Sequence, residues 1–208
     1  MSWKHYAFSA IMFLVSVGSA SAQMPPCHVG AQTGLAIASA TVSAPSLPAS
    51  LDGLGARSRQ PDFGVHAGCD FRLTGSPIIV GAWGEYTWRD TSFEVSLPGG
   101  SFSASLGDGW AFGARAGYDM GGVMPYVLLG YTQSEMNYSL PLTGVPSNLR
   151  GWTYGGGVEM PIKGTMMSLA LETRYTKYTE ADLIPSLATI KADQISGMVR
   201  LNLNFGGK

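Results

Sequence analysis

Apolar and polar side chains tend to alternate along eight separate stretches of this chain. The closing run, Val199-Arg200-Leu201-Asn202-Leu203-Asn204-Phe205, does so without a miss and stops on an aromatic. Period-two alternation belongs to β-strands with one face in an apolar medium and the other in a polar one. It leaves open which face points inward. A soluble barrel encloses the apolar set, whereas a membrane barrel turns it to lipid.

The alternating stretches are 27–38, 61–73, 77–90 with an extension through 97, 101–120, 124–136, 149–160, 167–178 and 192–205. Short connections fall at Thr74-Gly75-Ser76, at Gly121-Gly122-Val123 and at 161–166. Long ones fall near 39–60, 89–103, 134–148 and 179–191. Short turns at one end and long loops at the other are the pattern of outer-membrane barrels, with both termini on the short-turn side. The fold predicted is all-β: an eight-stranded antiparallel up-and-down transmembrane β-barrel.

The start of the chain predicts the compartment. Lys4 and His5 precede an apolar stretch from Tyr6 to Val17, and small residues follow, ending Ala20-Ser21-Ala22. This is the layout of a cleaved secretory signal peptide, 1–22, too short in its apolar core to span a bilayer. A barrel domain over 23–208 is then expected, with no added module after it. No later stretch is apolar enough for a membrane helix, yet mean hydropathy is +0.11 and only 13% of residues are charged. An exported, apolar chain without a membrane helix must span as a closed barrel if it spans at all. The net charge of −1 carries no basic patch for nucleic acid.

Parity orients the wall. One face carries Ile78, Val80, Ala82, Tyr86 and Trp88, then Trp110, Phe112, Ala114, Ala116 and Tyr118, with similar sets on later strands. Its aromatics fall towards strand ends, as rings do at the lipid–water boundary. The other face carries many glycines together with Glu85, Arg115, Glu159, Glu172, Arg174 and Arg200. A solvent-facing surface would favour Lys and Glu over Gly. The apolar face is therefore assigned to lipid and the Glu/Arg set to the lumen. The stretch at 124–136 resists orientation, because Val127, Leu129 and Tyr131 lie on one parity and apolar residues also occupy the other.

Within an eight-stranded barrel the interior is only wide enough for side chains to fill. The lumen charges are accordingly expected to pair and plug it. The alternative is a narrow porin-like channel for small solutes, lined by the same charges. Cys27 and Cys69 share the outward parity near the same ends of neighbouring strands, so a disulfide between them is open. His28 and His66 fall on the lumen parity with Asp70 as the one evident helper, too few ligands for a metal site. There is no G-x-S-x-G, H-E-x-x-H or phosphate-cradling loop, so no catalytic residues, metal or cofactor are expected.

The stretches "GWTYGGGVEM", "SLALETRYTKY" and "ARAGYDMGGVMPYVLLGY" resemble the strands of the small "porin family" surface barrels of Gram-negative, especially alphaproteobacterial, envelopes. The closing set Val199, Leu201, Leu203 and Phe205 resembles the C-terminal signal read by the outer-membrane assembly machinery. Gly206-Gly207-Lys208 follow it here. The resemblance implies residence in the cell outer membrane and a structural or surface role, as in surface antigens. Expected partners are outer-membrane lipids and lipopolysaccharide, the assembly machinery, and an unidentified ligand of the surface loops.

Overall fold

Alternation sets where the chain extends, and glycines set where it reverses. The computed structural model describes residues 27–43, 54–89, 91–97, 100–138, 148–179, 181–184 and 188–206; the expected signal peptide lies outside them. The strands are β1 (Cys27–Ser43), β2 (Leu54–Arg72), β3 (Ile78–Trp88), β4 (Thr91–Leu97) and β5 (Gly100–Tyr118). They continue with β6 (Met124–Tyr138), β7 (Asn148–Pro161), β8 (Met167–Tyr178), β9 (Ala181–Ile184) and β10 (Ala188–Phe205). Gly75, Gly121 and Gly164 each adopt positive φ in the three tight turns, a conformation that L side chains avoid.

β4 continues the line of β3 along β5, and β9 continues that of β8 along β10. The sheet therefore has eight staves, all antiparallel, and β1 pairs with β10 to close it. The register fixes its shape. One row of partners runs Arg57, Ser39, Asp193, Lys177, Trp152, Tyr131, Phe112, Gly84 and back to β2 at Ala67. The circuit returns ten residues along β2 from where it began. Ten residues are ~33 Å of strand and eight staves ~38 Å of sheet, so the strands tilt by ~41°, within the usual range for barrels. Each residue then advances ~2.5 Å along the barrel axis.

The apolar parity faces outward, as assigned. Phe112 and Trp152 are 54% and 57% exposed, and Val199, Leu201, Leu203 and Phe205 are exposed along β10. Trp110, Phe112, Tyr131 and Trp152 touch ring to ring near the long-loop end. Phe71, Tyr118 and Phe205 are exposed at the short-turn end. Trp110 and Tyr118 bound the apolar band on β5, ~20 Å apart along the axis, close to the height expected of a lipid-facing belt.

β6 is oriented by its neighbours. Val127 and Leu129 face out, while Tyr126 and Leu128 pack inside against Trp83 and Ala111. The long connections need correction. Strand pairing continues through 39–43, 54–60, 137–138 and 188–191, where loops were expected, and through 91–97, the extension expected of the third stretch. Beyond the aromatic ring several buried inward positions are themselves polar, as at Ser58 and Ser134, so apolar–polar alternation fades there while the backbone ladder continues.

Candidate functional site in the lumen

Inward parity aims polar side chains from every wall at the barrel axis, where glycines leave them room. A Cβ on Gly81 would collide with the Asp70 carboxylate, and one on Gly155 with the Thr173 carbonyl beside Arg174. The charged residues settle into three tiers.

In the tier nearest the short turns, Arg115 of β5 binds Asp70 of β2 through both Nε and Nη2, and reaches Glu159 of β7 at 3.0 Å. Glu159 also accepts hydrogen bonds from Ser168 at 2.6 Å and Asn202 at 2.9 Å. Asn202 meets His66 at 2.6 Å, and His28 stands 3.6 Å from Asp70. All these side chains are buried.

The middle tier is a four-residue ring. Arg174 donates to Glu172 at 2.5 Å and to Glu85 at 2.6 Å. Arg200 donates to Glu172 at 3.0 Å and approaches Glu85 at 3.4 Å. The Tyr126 hydroxyl donates to Glu172 at 2.6 Å, and the Arg174 guanidinium lies 4.5 Å from the Trp83 ring. Two carboxylates thus face two guanidinium groups, and every charge has partners of opposite sign.

In the outer tier, Arg89, just past β3, donates to Asp62 at 3.1 Å and to Ser134 at 3.2 Å. Tyr178 meets Ser134 at 3.3 Å and Gln194 at 3.4 Å.

The structure therefore brings all six sequence-selected charges into the lumen, but in two groups: Arg115 with Glu159, and the ring of the other four. It adds Asp70, Asp62 and Arg89. Asp70 and Asp62 share the even parity of His66 on β2, so the signal was present in the alternation. Arg89, one residue past the end of β3, shares the odd parity of Glu85 within the stretch 77–90, so its direction was present in the alternation as well. On the outer wall, Cys27 and Cys69 are register partners and are joined by a disulfide. Among the described residues no cluster of three or more His, Cys, Asp or Glu is arranged to hold a metal ion.

A closed antiparallel barrel with an apolar, aromatic-ringed wall and a charged interior is a transmembrane barrel of the outer-membrane type. The chain belongs to the outer membrane protein beta-barrel domain family, which it matches over residues 7–203, and it resides in the cell outer membrane. It is similar to the 25 kDa outer-membrane immunogenic proteins of Brucella. Identity is 27% over 144 residues with that of Brucella canis and 31% over 144 residues with that of Brucella abortus. Each alignment covers 68% of this chain and 63% of the relative, so the chain spans less than two thirds of those relatives' length. Among solved structures it is similar to Neisserial surface protein A, at 17% identity and TM-score 0.46, over 84% of this chain and 95% of that one.

Proposed function

We propose that this protein is a plugged structural barrel of the outer membrane, which packs among lipids and lipopolysaccharide and presents its long loops at the cell surface. One observation carries the reading. Glu85 and Arg174 stand on opposite walls, four staves apart, and meet at 2.6 Å, so a charge pair spans the lumen at mid-height. Arg115 makes a second bridge from Asp70 to Glu159, also across four staves. The Brucella relatives' description as immunogenic supports loop display to antibodies. In this reading Val199, Leu201, Leu203 and Phe205 are the strand the assembly machinery engages, since they form the exposed face of the stave that closes the barrel. Single-channel recording of the refolded chain in a planar bilayer tests the reading. Verified insertion without conductance is expected. Steady openings would overturn it in favour of a narrow solute channel lined by the same charges.

A further inference from the structure

The bond between the chain's two cysteines lies on the side of the wall that meets lipid. Cys27 opens β1, and Cys69 lies three residues before the end of β2. The two are direct partners in the ladder and share the outward parity. Their neighbours on that face are apolar. Phe205 stands opposite Cys27 on β10, and Ala82 stands opposite Cys69 on β3. Val29 and Phe71 follow two residues along each strand, and both are exposed, as is Phe205. Phe71 is nearer the short turn than Cys69 by two residues, ~5 Å along the axis. The bond therefore sits on the membrane side of the aromatic girdle at the short-turn end.

That position decides when the bond can be made. Thiol–disulfide exchange starts from a thiolate, and an apolar surround disfavours the charged form. A reduced pair in the inserted barrel would face lipid and be a poor substrate for any water-borne oxidant. The same two thiols in the unfolded chain meet water. Register supplies a second, independent reason. β1 is the strand that closes the barrel against β10, with Cys27 opposite Phe205. A slip of two residues along β2 would keep the faces but set Cys27 opposite Ala67 or Phe71. A bond from Cys27 to Cys69 favours the one register that lets β1 close the seam.

We infer that the Cys27–Cys69 bond is made in the periplasm before the barrel inserts, by thiol–disulfide exchange with a protein disulfide, so that β1 enters the membrane already tied to β2. One cysteine thiolate attacks the partner's disulfide and forms a mixed disulfide. The second cysteine then attacks the first one's Sγ and releases the partner as a dithiol. The two cysteines give up two electrons and two protons, and the partner's disulfide takes them up. The reaction that supplies this barrel's immediate precursor is thus a dithiol oxidation acting on the exported, unfolded chain. This goes beyond loop display and holds whether or not the lumen conducts.

Two measurements test the order. In cells, newly exported chain is acid-trapped at short intervals and its free thiols are tagged with a maleimide of high mass. Heat-modified gel migration separates inserted from uninserted barrel. The bond should already be present in the uninserted chain, and every heat-modifiable barrel should carry it. Inserted barrel with two free thiols that later disappear would overturn the proposal. In vitro, the oxidised barrel in phosphatidylcholine liposomes is exposed to dithiothreitol and compared with the same chain unfolded in urea. Reduction should be at least tenfold slower in the inserted barrel. C27S/C69S/K163C controls for access, because Lys163 lies exposed in the turn after β7. Its single thiol should react with oxidised glutathione about equally fast in liposomes and in urea. Equal reduction of the Cys27–Cys69 bond in the two states would show that water-borne thiols reach it after insertion, and would overturn the proposal.

Discussion

Glu85 and Arg174 meet at 2.6 Å from opposite walls, and Arg174 also donates to Glu172 at 2.5 Å. Removing Arg174 alone leaves two buried carboxylates short of a partner. Breaking a buried pair by deleting one member costs roughly 3–5 kcal/mol, whereas replacing both members with apolar residues is often close to neutral. Arg174→Ala should therefore lower the urea resistance of the micelle-bound barrel by about that amount. Glu85→Met with Arg174→Met should recover much of it, because Glu172 keeps Arg200 at 3.0 Å. An unchanged unfolding midpoint in Arg174→Ala would remove the ring from any account of stability.

Cys27 faces two partners at the seam: Cys69 across β2, to which it is bonded, and Phe205 across β10. The bridge closes a loop with a sequence separation of 42. A crosslink of that span stabilises by about 2–4 kcal/mol, mainly by restricting the unfolded chain. Cys27→Ser with Cys69→Ser should lower the unfolding free energy by that much without changing the strand register. Maleimide labelling of envelope protein in urea without reductant should find no free thiol. Two labelled cysteines would contradict the bridge.

Strand parity made most of this barrel legible, because lipid and a packed lumen impose opposite chemistry on alternate residues. It failed where the two environments were alike. On β6 both faces are apolar, since Tyr126 and Leu128 fill the lumen beside Trp83 while Val127 and Leu129 meet lipid. Only pairing with β5 and β7 settles which way it faces. In the strand extension at 54–60 the buried inward position Ser58 is itself polar, so no apolar–polar alternation marked it. The lumen charges were visible by parity, but their division into tiers depends on the ten-residue shift that closes the barrel, a property of all eight staves together. The orientation of β6 can be checked directly. Leu129→Arg places a charge on the lipid face near mid-height and should destabilise by about 2–4 kcal/mol in bilayers. At Gln133, nearer the outer boundary, the same replacement should cost about 0–1 kcal/mol. Equal costs at the two sites would contradict the assigned face.

Asp119, in the turn after β5, accepts hydrogen bonds from the Arg72 guanidinium and from the Gly121 backbone N–H at 2.8 Å. Arg72 first, and the Gly121 amide second, hold its carboxyl below the ordinary value of 3.8. A group whose pKa is depressed by folding binds its proton more readily in the unfolded chain. Its contribution to stability is therefore complete above the unfolded value and is lost as the pH falls through the lower folded value. The pair is largely solvent-exposed, so its worth is limited to about 0.2–1 kcal/mol. Asp119→Asn should thus unfold slightly more easily than the parent at pH 7. The gap should shrink once the pH drops below about 4 and should be smaller at high salt, which screens exposed pairs. Urea midpoints at pH 7 and pH 3 measure it. A gap of the same size at both pH values would assign the loss to the shape of the turn rather than to the charge of Asp119.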